Sequence, residues 1–301
     1  MSKSPAALRR SVEDRIRKLV CLAQGRTHDR IRTILVMERF MVRIMAVFPE
    51  GTLLKGGLAL ELRLSQARTT KDIDLRAVGN TENLEILLEK IAAYRPEPED
   101  HLAFVITPHK KHPQIKGATI RYDGFRYQVD CFLAEKRYTS FGLDISYGDP
   151  IFGSSITMEG SDFWRSYGIE RASISVIPSA THLAEKLHAY SFPYEDRVNM
   201  RTKDLIDILL LAAVLDGVRA EELFQAFQTT FDFRQTHTLP KKLESPPIEW
   251  KQQYGKIRRK ERLKWSDIDE VYQKASVFLN HVLREKQGVW SYEEFAWKEV
   301  E

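Results

Sequence analysis

Asp72 and Asp74 stand two positions apart in a segment whose alternating polar and apolar residues predict a β-strand. Side chains alternate between the two faces of a strand, so both carboxylates are expected on one face. Such neighbours repel each other unless a cation separates them, and Mg²⁺ binds carboxylate oxygens together with substrate phosphates. The pair on its own also fits a solvated strand edge, so its meaning depends on the residues around it.

Gly56 and Gly57 lie just upstream, after a short apolar strand and before a predicted amphipathic helix. Paired glycines allow a backbone to approach phosphate oxygens closely. The segment 53–76 thus predicts a phosphate-binding turn beside a metal-binding strand. With both features present, nucleotide chemistry is favoured over a solvated edge.

A third carboxylate is expected, because phosphoryl chemistry with two metal ions commonly uses one to hold the second ion and the attacking hydroxyl. Asp130 and Asp144 both lie in predicted strands, and periodicity does not separate them. Asp130 shares a polar strand face with Arg126 and could simply pair with it. Both acids stay candidates at this point.

Lys186 lies in the middle of a predicted helix, where it could reach a triphosphate as a point charge or be an ordinary surface charge outside the core. Asp204 enters a helix too apolar to be exposed on all sides, so a partner such as Lys186 or Arg201 is expected. Asp207 follows Lys203 by four residues, a spacing that also fits an ion pair on a helix surface.

The elements that must position these residues follow from hydrophobic periodicity. Helices are predicted at 29–48, from Thr81 to Tyr94, and at 179–192, 201–217, 219–232 and 266–285. Strands are predicted at 102–107, 118–122, 125–132 and 142–148, with a hairpin turn at Asp123-Gly124 and a last strand ending near Pro178. We therefore expect an α+β (α/β) domain over residues 1–177, with N-terminal helices, followed by a mostly helical domain over 178–301 that contributes Lys186 and Asp204 to the cleft.

Composition bounds the class of protein. The chain has 301 residues, of which 43% are hydrophobic and 29% charged, as in an ordinary globular protein. No apolar run approaches the ~20 residues that a membrane-spanning helix needs, and the N-terminus lacks the apolar core of a signal peptide. Two cysteines give neither a disulfide framework nor a zinc cluster. A cytoplasmic protein without a membrane partner is expected.

Charge is unevenly distributed although the net charge is only +4. Residues 1–50 hold 11 Lys and Arg against 5 Asp and Glu, and residues 241–264 hold 9 against 3. Two basic segments around an acidic middle could present a polyanion to an active site. Solvated helix faces and a loop would give the same pattern, so both interpretations stay open.

Taken together, these motifs resemble the AbiEii-type nucleotidyltransferase toxins, a branch of the polymerase-β-like nucleotidyltransferase superfamily that includes MenT-type toxins. The resemblance rests on the order and spacing of four motifs over most of the chain. They are KGGLALELRL followed by RTTKDIDL, GLDISYGD at 142–149, LAEKLHA at 183–189 and NMRTKDLIDI at 199–208.

The resemblance implies a nucleotidyltransferase-like mixed sheet with flanking helices, and it assigns the site residue by residue. It makes Asp144, rather than Asp130, the third acid. The implied catalytic residues are Asp72, Asp74, Asp144, Lys186 and Asp204; Asp72, Asp74 and Asp144 would bind two Mg²⁺ ions, and Gly56, Gly57 and Lys186 would bind the phosphates of an NTP. Thr70 occupies a hydroxyl position that is modified in some relatives to silence the toxin. One departure is the Gly-Gly turn, where the wider superfamily has Gly-Ser.

The same resemblance implies a function. The protein would add nucleotides from an NTP to an RNA acceptor, with the tRNA 3′ end as the target, and so block translation. A cognate antitoxin, commonly a winged-helix DNA-binding repressor, would be its partner. Two alternatives stay open: transfer to a protein or small molecule, and a catalytically inactive nucleotide-binding module. The residues do not identify the base of the NTP.

Overall fold

The computed structural model describes residues 4–22, 27–64, 70–78, 83–115, 124–194 and 199–299. The helices in these ranges are α1 (Pro5–Leu22), α2 (His28–Val47), α3 (Gly56–Arg63), α4 (Leu84–Ala93), α5 (Ser179–Ser191), α6 (Thr202–Ala212), α7 (Ala220–Arg234), α8 (Trp250–Glu261) and α9 (Ile268–Leu283). The strands are β1 (Thr52–Lys55), β2 (Asp72–Ala77), β3 (Leu102–Pro108), β4 (Gly124–Leu133), β5 (Lys136–Ser146), β6 (Ile156–Glu159), β7 (Ser173–Val176), β8 (Val289–Ser291) and β9 (Ala296–Lys298).

The central sheet is mixed and has seven strands in the order β3-β4-β5-β2-β1-β7-β6. The pairs β2–β5 and β1–β7 are parallel, whereas the other neighbours are antiparallel. The strands β8 and β9 form a separate hairpin near the C-terminus. The predicted fold class, a mixed sheet with flanking helices followed by helices, is confirmed.

Strand register brings the acidic residues together. In β2, Asp74 lies opposite Lys55 of β1 on one side and opposite Asp144 of β5 on the other. Asp72 lies opposite Gly142 of β5. Side chains at paired positions point to the same face of a sheet, so three carboxylates from adjacent strands share one face.

Two hydrophobic clusters form the interior, and helix α3 contributes to both. The first lies between residues 8 and 176 and takes in Leu58 and Ala59. The second draws mainly on residues 183–290 and takes in Leu60 and Leu64. Burying opposite faces of one short helix in two clusters fixes the helix that follows the glycine turn.

A buried ion cluster holds α3 from the side. Arg30 of α2 contacts Glu61 of α3 at 2.9 Å and Glu261, the last residue of α8, at 3.2 Å. All three side chains are at most 6% exposed. One guanidinium faces two carboxylates, and Lys260 also contacts Glu261, at 3.3 Å. Each buried charge thus has an opposite partner, and α2, α3 and α8 are linked at one point.

Some elements differ from the sequence predictions. Strand β5 begins at Lys136, earlier than predicted, and β6, α8 and the β8–β9 hairpin were missed. In β6 none of the four residues is buried, and α8 buries only Trp250 and Tyr254, so neither shows a strong periodic pattern. The predicted strand 118–122, the helix start at Thr81 and the turn residue Asp123 lie outside the described residues. Within those residues, no helix is long and apolar enough to span a membrane.

Candidate active site

The glycine turn is shaped by the side chains that pass over it. Gly56 has φ +65°, and a Cβ built on it would lie 1.9 Å from Oδ2 of Asp74. A Cβ on Gly57 would lie 2.5 Å from Oγ1 of Thr70. Both positions therefore require glycine, because Asp74 and Thr70 occupy the space that larger side chains would need.

The turn leads directly into α3, whose first residue is Gly56. No side chain of the described residues caps the N-terminus of this helix. Unpaired amide groups at a helix N-terminus attract anions. The turn thus offers backbone donors next to the acidic strand.

The two aspartates of β2 lie in surroundings that disfavour their negative charge. Burial raises the pKa of Asp74 to about 6, and the negative charges of Asp144 and Asp72 add to that rise. Burial and Asp144 also raise the pKa of Asp72. Like charges held this close favour a bound cation, which would lower both pKa values again.

Asp144 is held by an arginine of the neighbouring strand. Arg126 of β4 donates from Nε to Oδ1 of Asp144 at 2.8 Å and from Nη2 to Oδ2 at 2.6 Å. Asp130 instead contacts Arg137 at 2.6 Å, where the two side chains are 31% and 60% exposed. The interpretation that Asp130 pairs with Arg126 is therefore wrong, because strand register places Arg126 opposite Asp144.

Lys186 of α5 is an internal residue, not a surface charge. Its Nζ lies 2.8 Å from Oδ2 of Asp207 and 3.0 Å from Oδ1 of Asp204, and its side chain is only 13% exposed. Arg201 also contacts Asp204, at 3.5 Å, so both expected partners of Asp204 are confirmed. Asp207 is fully buried, so the alternative of a surface pair is wrong for it.

Two adjoining cavities meet at these residues. They share Gly56, Asp72, Asp74, Lys186, Arg201 and Asp204. The first, of about 380 Å³, is the acid cavity; its other lining residues include Arg126, Asp144, Ser146 and Glu185. The second, of about 540 Å³, is the lysine cavity; its other lining residues include Gly57, Thr70, Lys71, Lys203, Lys256 and Lys260. The predicted site residues are thus brought together, with Lys71, Lys203, Lys256 and Lys260 in the cavity that Gly57 lines.

The donor set suits Mg²⁺ chemically, since carboxylate oxygens are its usual protein ligands. In the described part of the chain, however, no three His, Cys, Asp or Glu side chains form a group ready to hold a metal ion. Asp144 has both oxygens engaged by Arg126. Asp72 and Asp74 are therefore the residues that would hold a divalent ion first.

Several residues that contribute to the site were not predicted from the sequence. Lys55 contacts Glu185 at 3.1 Å and Asp149 at 3.6 Å, which ties the end of β1 to α5 and to the segment after β5. Gly142 lies under Asp72, and its signal was visible: a glycine inside a predicted strand often marks close approach of another group. The role of Arg126 had no comparable signal.

A model of the AbiEii family, nucleotidyl transferase toxins of type IV toxin–antitoxin systems, matches residues 39–274. Among solved structures, the MenT4 nucleotidyltransferase toxin of Mycobacterium tuberculosis H37Rv aligns with a TM-score of 0.50 at 15% identity, covering 75% of this chain and 69% of its own. JHP933 from Helicobacter pylori aligns with a TM-score of 0.46 at 15% identity, covering 84% and 92%. At this identity the likeness to MenT4 concerns the fold alone. No curated protein sequence matches significantly.

Proposed function

This chain belongs to the AbiEii family of nucleotidyltransferase toxins of type IV toxin–antitoxin systems, and from that premise we propose that it transfers nucleotides from an NTP to RNA. The reaction depends on Mg²⁺, the acceptor is the tRNA 3′ end in the cytoplasm, and the result is a block of translation. One arrangement carries the proposal. Asp72, Asp74 and Asp144 line a cavity together with Lys186, beside the uncapped N-terminus of α3.

In this proposal each group of the chain has a separate task. The amides at the start of α3 and the ammonium of Lys186 bind the β- and γ-phosphates and so orient the α-phosphorus for in-line attack. Asp144 accepts the proton of the acceptor hydroxyl as the new O–P bond forms and pyrophosphate leaves. Mg²⁺, held by Asp72 and Asp74 and, for a second ion, Asp144, would neutralise charge on the reacting oxygens. Residues 178–301 form a helical domain that donates Lys186 and Asp204 to the cleft.

The four lysines that line the lysine cavity in addition to Lys186 support a polyanionic acceptor. Lys256 and Lys260 are one helical turn apart on α8, and both line this cavity with Lys71 and Lys203. Lys251, on the same helix, instead pairs with Asp269 at 2.8 Å on the exposed surface. The basic segment 241–264 thus directs only part of its charge toward the site.

Replacing Lys256 and Lys260 with alanine is expected to weaken RNA binding and to flatten its salt dependence, by about 0.7 in the log–log slope per lost phosphate contact. Lys251→Ala is the matched control and should leave both unchanged. Binding of total tRNA is measured at several salt concentrations. Unchanged RNA binding together with a raised KM for the NTP would instead assign these lysines to the triphosphate.

Family membership implies an antitoxin partner. We propose that this partner is a winged-helix repressor.

Thr70 lines the lysine cavity against Gly57, and its Oγ1 lies 3.1 Å from the backbone oxygen of Asp72. Modification of this hydroxyl by an anionic group would place negative charge where the triphosphate is proposed to bind.

The direct test is incubation of the protein with each NTP, labelled at the α-phosphate, in the presence of Mg²⁺ and either total RNA or cell lysate. Label in a tRNA-sized band supports the proposal and identifies the base. Label in protein or a small molecule would change the acceptor class. An absence of label with all four NTPs would favour an inactive nucleotide-binding module. Asp72→Ala run in parallel shows whether the label depends on this site.

Gly142→Ala is expected to lower the transfer rate on the order of 10²-fold, because small displacements of a reacting group have effects of this size. A Cβ at this position would lie 2.3 Å from Oδ1 of Asp72, so the carboxylate has to move. Gly255→Ala on α8 is the control, since its Cβ would meet no described atom within 4 Å. Equal initial rates for the two variants would contradict the positioning role of Gly142.

A further inference from the structure

The ion pair between Arg126 and Asp144 is bidentate. Two parallel N–H donors of the guanidinium reach the two carboxylate oxygens, at 2.8 Å and 2.6 Å. Bidentate pairs of this kind are among the strongest charge-assisted hydrogen bonds. Both oxygens of Asp144 therefore accept hydrogen bonds from the guanidinium.

The same guanidinium acts on the neighbouring acids. Burial and Asp144 raise the pKa of Asp72, and the positive charge of Arg126 opposes that rise. Asp144 lies directly opposite Asp74 in the parallel pairing of β2 with β5. A positive charge is thus already present at the position where a second divalent ion would meet Asp144.

The two partners differ in freedom to move. The side chain of Arg126 is 38% exposed and lines the acid cavity, whereas that of Asp144 is 16% exposed. Release of the pair would therefore move the arginine into the cavity and leave the carboxylate in place on β5.

We propose that Arg126 is a positioning residue that keeps Asp144 from divalent metal until it is displaced. The free protein then binds one ion at Asp72 and Asp74, and a second ion binds only after Arg126 has left Asp144. This inference rests on the proposed function. The displacing group is a phosphate of the nucleic-acid acceptor, because a guanidinium binds phosphate with the same forked geometry as a carboxylate. Arg126 would then hold the acceptor while Asp144 becomes free to receive its proton.

The test counts Mn²⁺ ions bound to the full chain by electron paramagnetic resonance, without nucleotide or RNA. Wild type is expected to bind a single ion. Arg126→Gln is expected to bind a second ion. The affinity of that second site should be about 10- to 100-fold higher than in wild type, which corresponds to the loss of one charge-assisted hydrogen bond. Arg137→Gln breaks the similar pair with Asp130 on the same two strands and should behave as wild type. Adding Asp144→Asn to Arg126→Gln should remove the second ion.

The outcomes separate this inference from the proposed function. Two ions in wild type, or one ion with unchanged affinity in a folded Arg126→Gln variant, would overturn the inference and leave the proposed reaction standing. An absence of Mn²⁺ binding in every variant would overturn both. Arg126→Lys keeps the charge but loses the fork, so a partial gain of the second site is expected there.

Discussion

Asp74→Asn is expected to reduce nucleotidyl transfer on the order of 10³-fold or more, because the metal-held charge that stabilises the transition state is worth several kcal/mol. Asp74 occupies the centre of the acidic group, between Lys55 and Asp144 in the sheet. Its amide replacement keeps the shape that passes over Gly56 but removes the charge. The loss is measured as a single-turnover rate with labelled NTP and the acceptor that the labelling experiment identifies.

Unfolding does not account for the expected loss in this variant. The pKa of Asp74 is raised to about 6, so the ionised carboxylate is less favourable in the folded chain than in the unfolded one above that pH. Removing it should leave the metal-free melting temperature at pH 7.5 unchanged or higher. The carboxyl of Asp74 becomes protonated as the pH falls below about 6, and a protonated carboxyl is a poor metal ligand. Binding of divalent metal to wild type should therefore weaken over the same range. Asp130→Asn, a carboxylate outside both cavities among the described residues, is the control and should retain full activity.

Lys186→Met is expected to abolish activity and also to destabilise the protein. The lysine is proposed to bind the triphosphate, but it also contacts Asp204 and the fully buried Asp207. Removing one partner of a buried ion pair typically costs about 3–5 kcal/mol, because a charge is left buried without that partner. The expectation that this lysine lies outside the core is therefore corrected by its 13% exposure. Urea denaturation and the transfer rate measure the two effects.

A double variant separates the two roles of Lys186. Combining Lys186→Met with Asp207→Asn neutralises both partners, so much of the lost stability should return while transfer stays absent. Asp207→Asn alone tests whether the pair itself is needed to hold the lysine in the position proposed to bind phosphate. If the double variant is stable and active, Lys186 is only a structural counter-ion and its proposed role in phosphate binding is wrong.

The acidic strand and the glycine turn were predictable because their signals are local. Alternation places Asp72 and Asp74 on one face of β2, and a Gly-Gly pair before a helix indicates a tight turn. The reason for the glycines was only partly predictable. Their amides can meet phosphate, but the structure adds the close approach of Asp74 to Gly56, a contact between residues 18 positions apart.

The partners of the acids in the sheet were not predictable, because their pairing depends on register between strands rather than on the pattern within one strand. Arg126 and Asp144 meet across the β4–β5 hairpin, whose register shifts at Cys131 and Phe132. A one-residue change of register would reverse the faces of the paired side chains. The burial of Lys186 was not foreseen for a similar reason, since it comes from α6 packing on α5 and not from the composition of its own helix.

Helix α3 limits how this enzyme can move. Leu58 and Ala59 are embedded on one side, and Leu60 and Leu64 on the other. Because both hydrophobic clusters include side chains of this segment, moving the clusters apart would expose apolar side chains to water. Access to the acid cavity and the lysine cavity should therefore depend on movements of individual side chains rather than on separation of the two hydrophobic clusters.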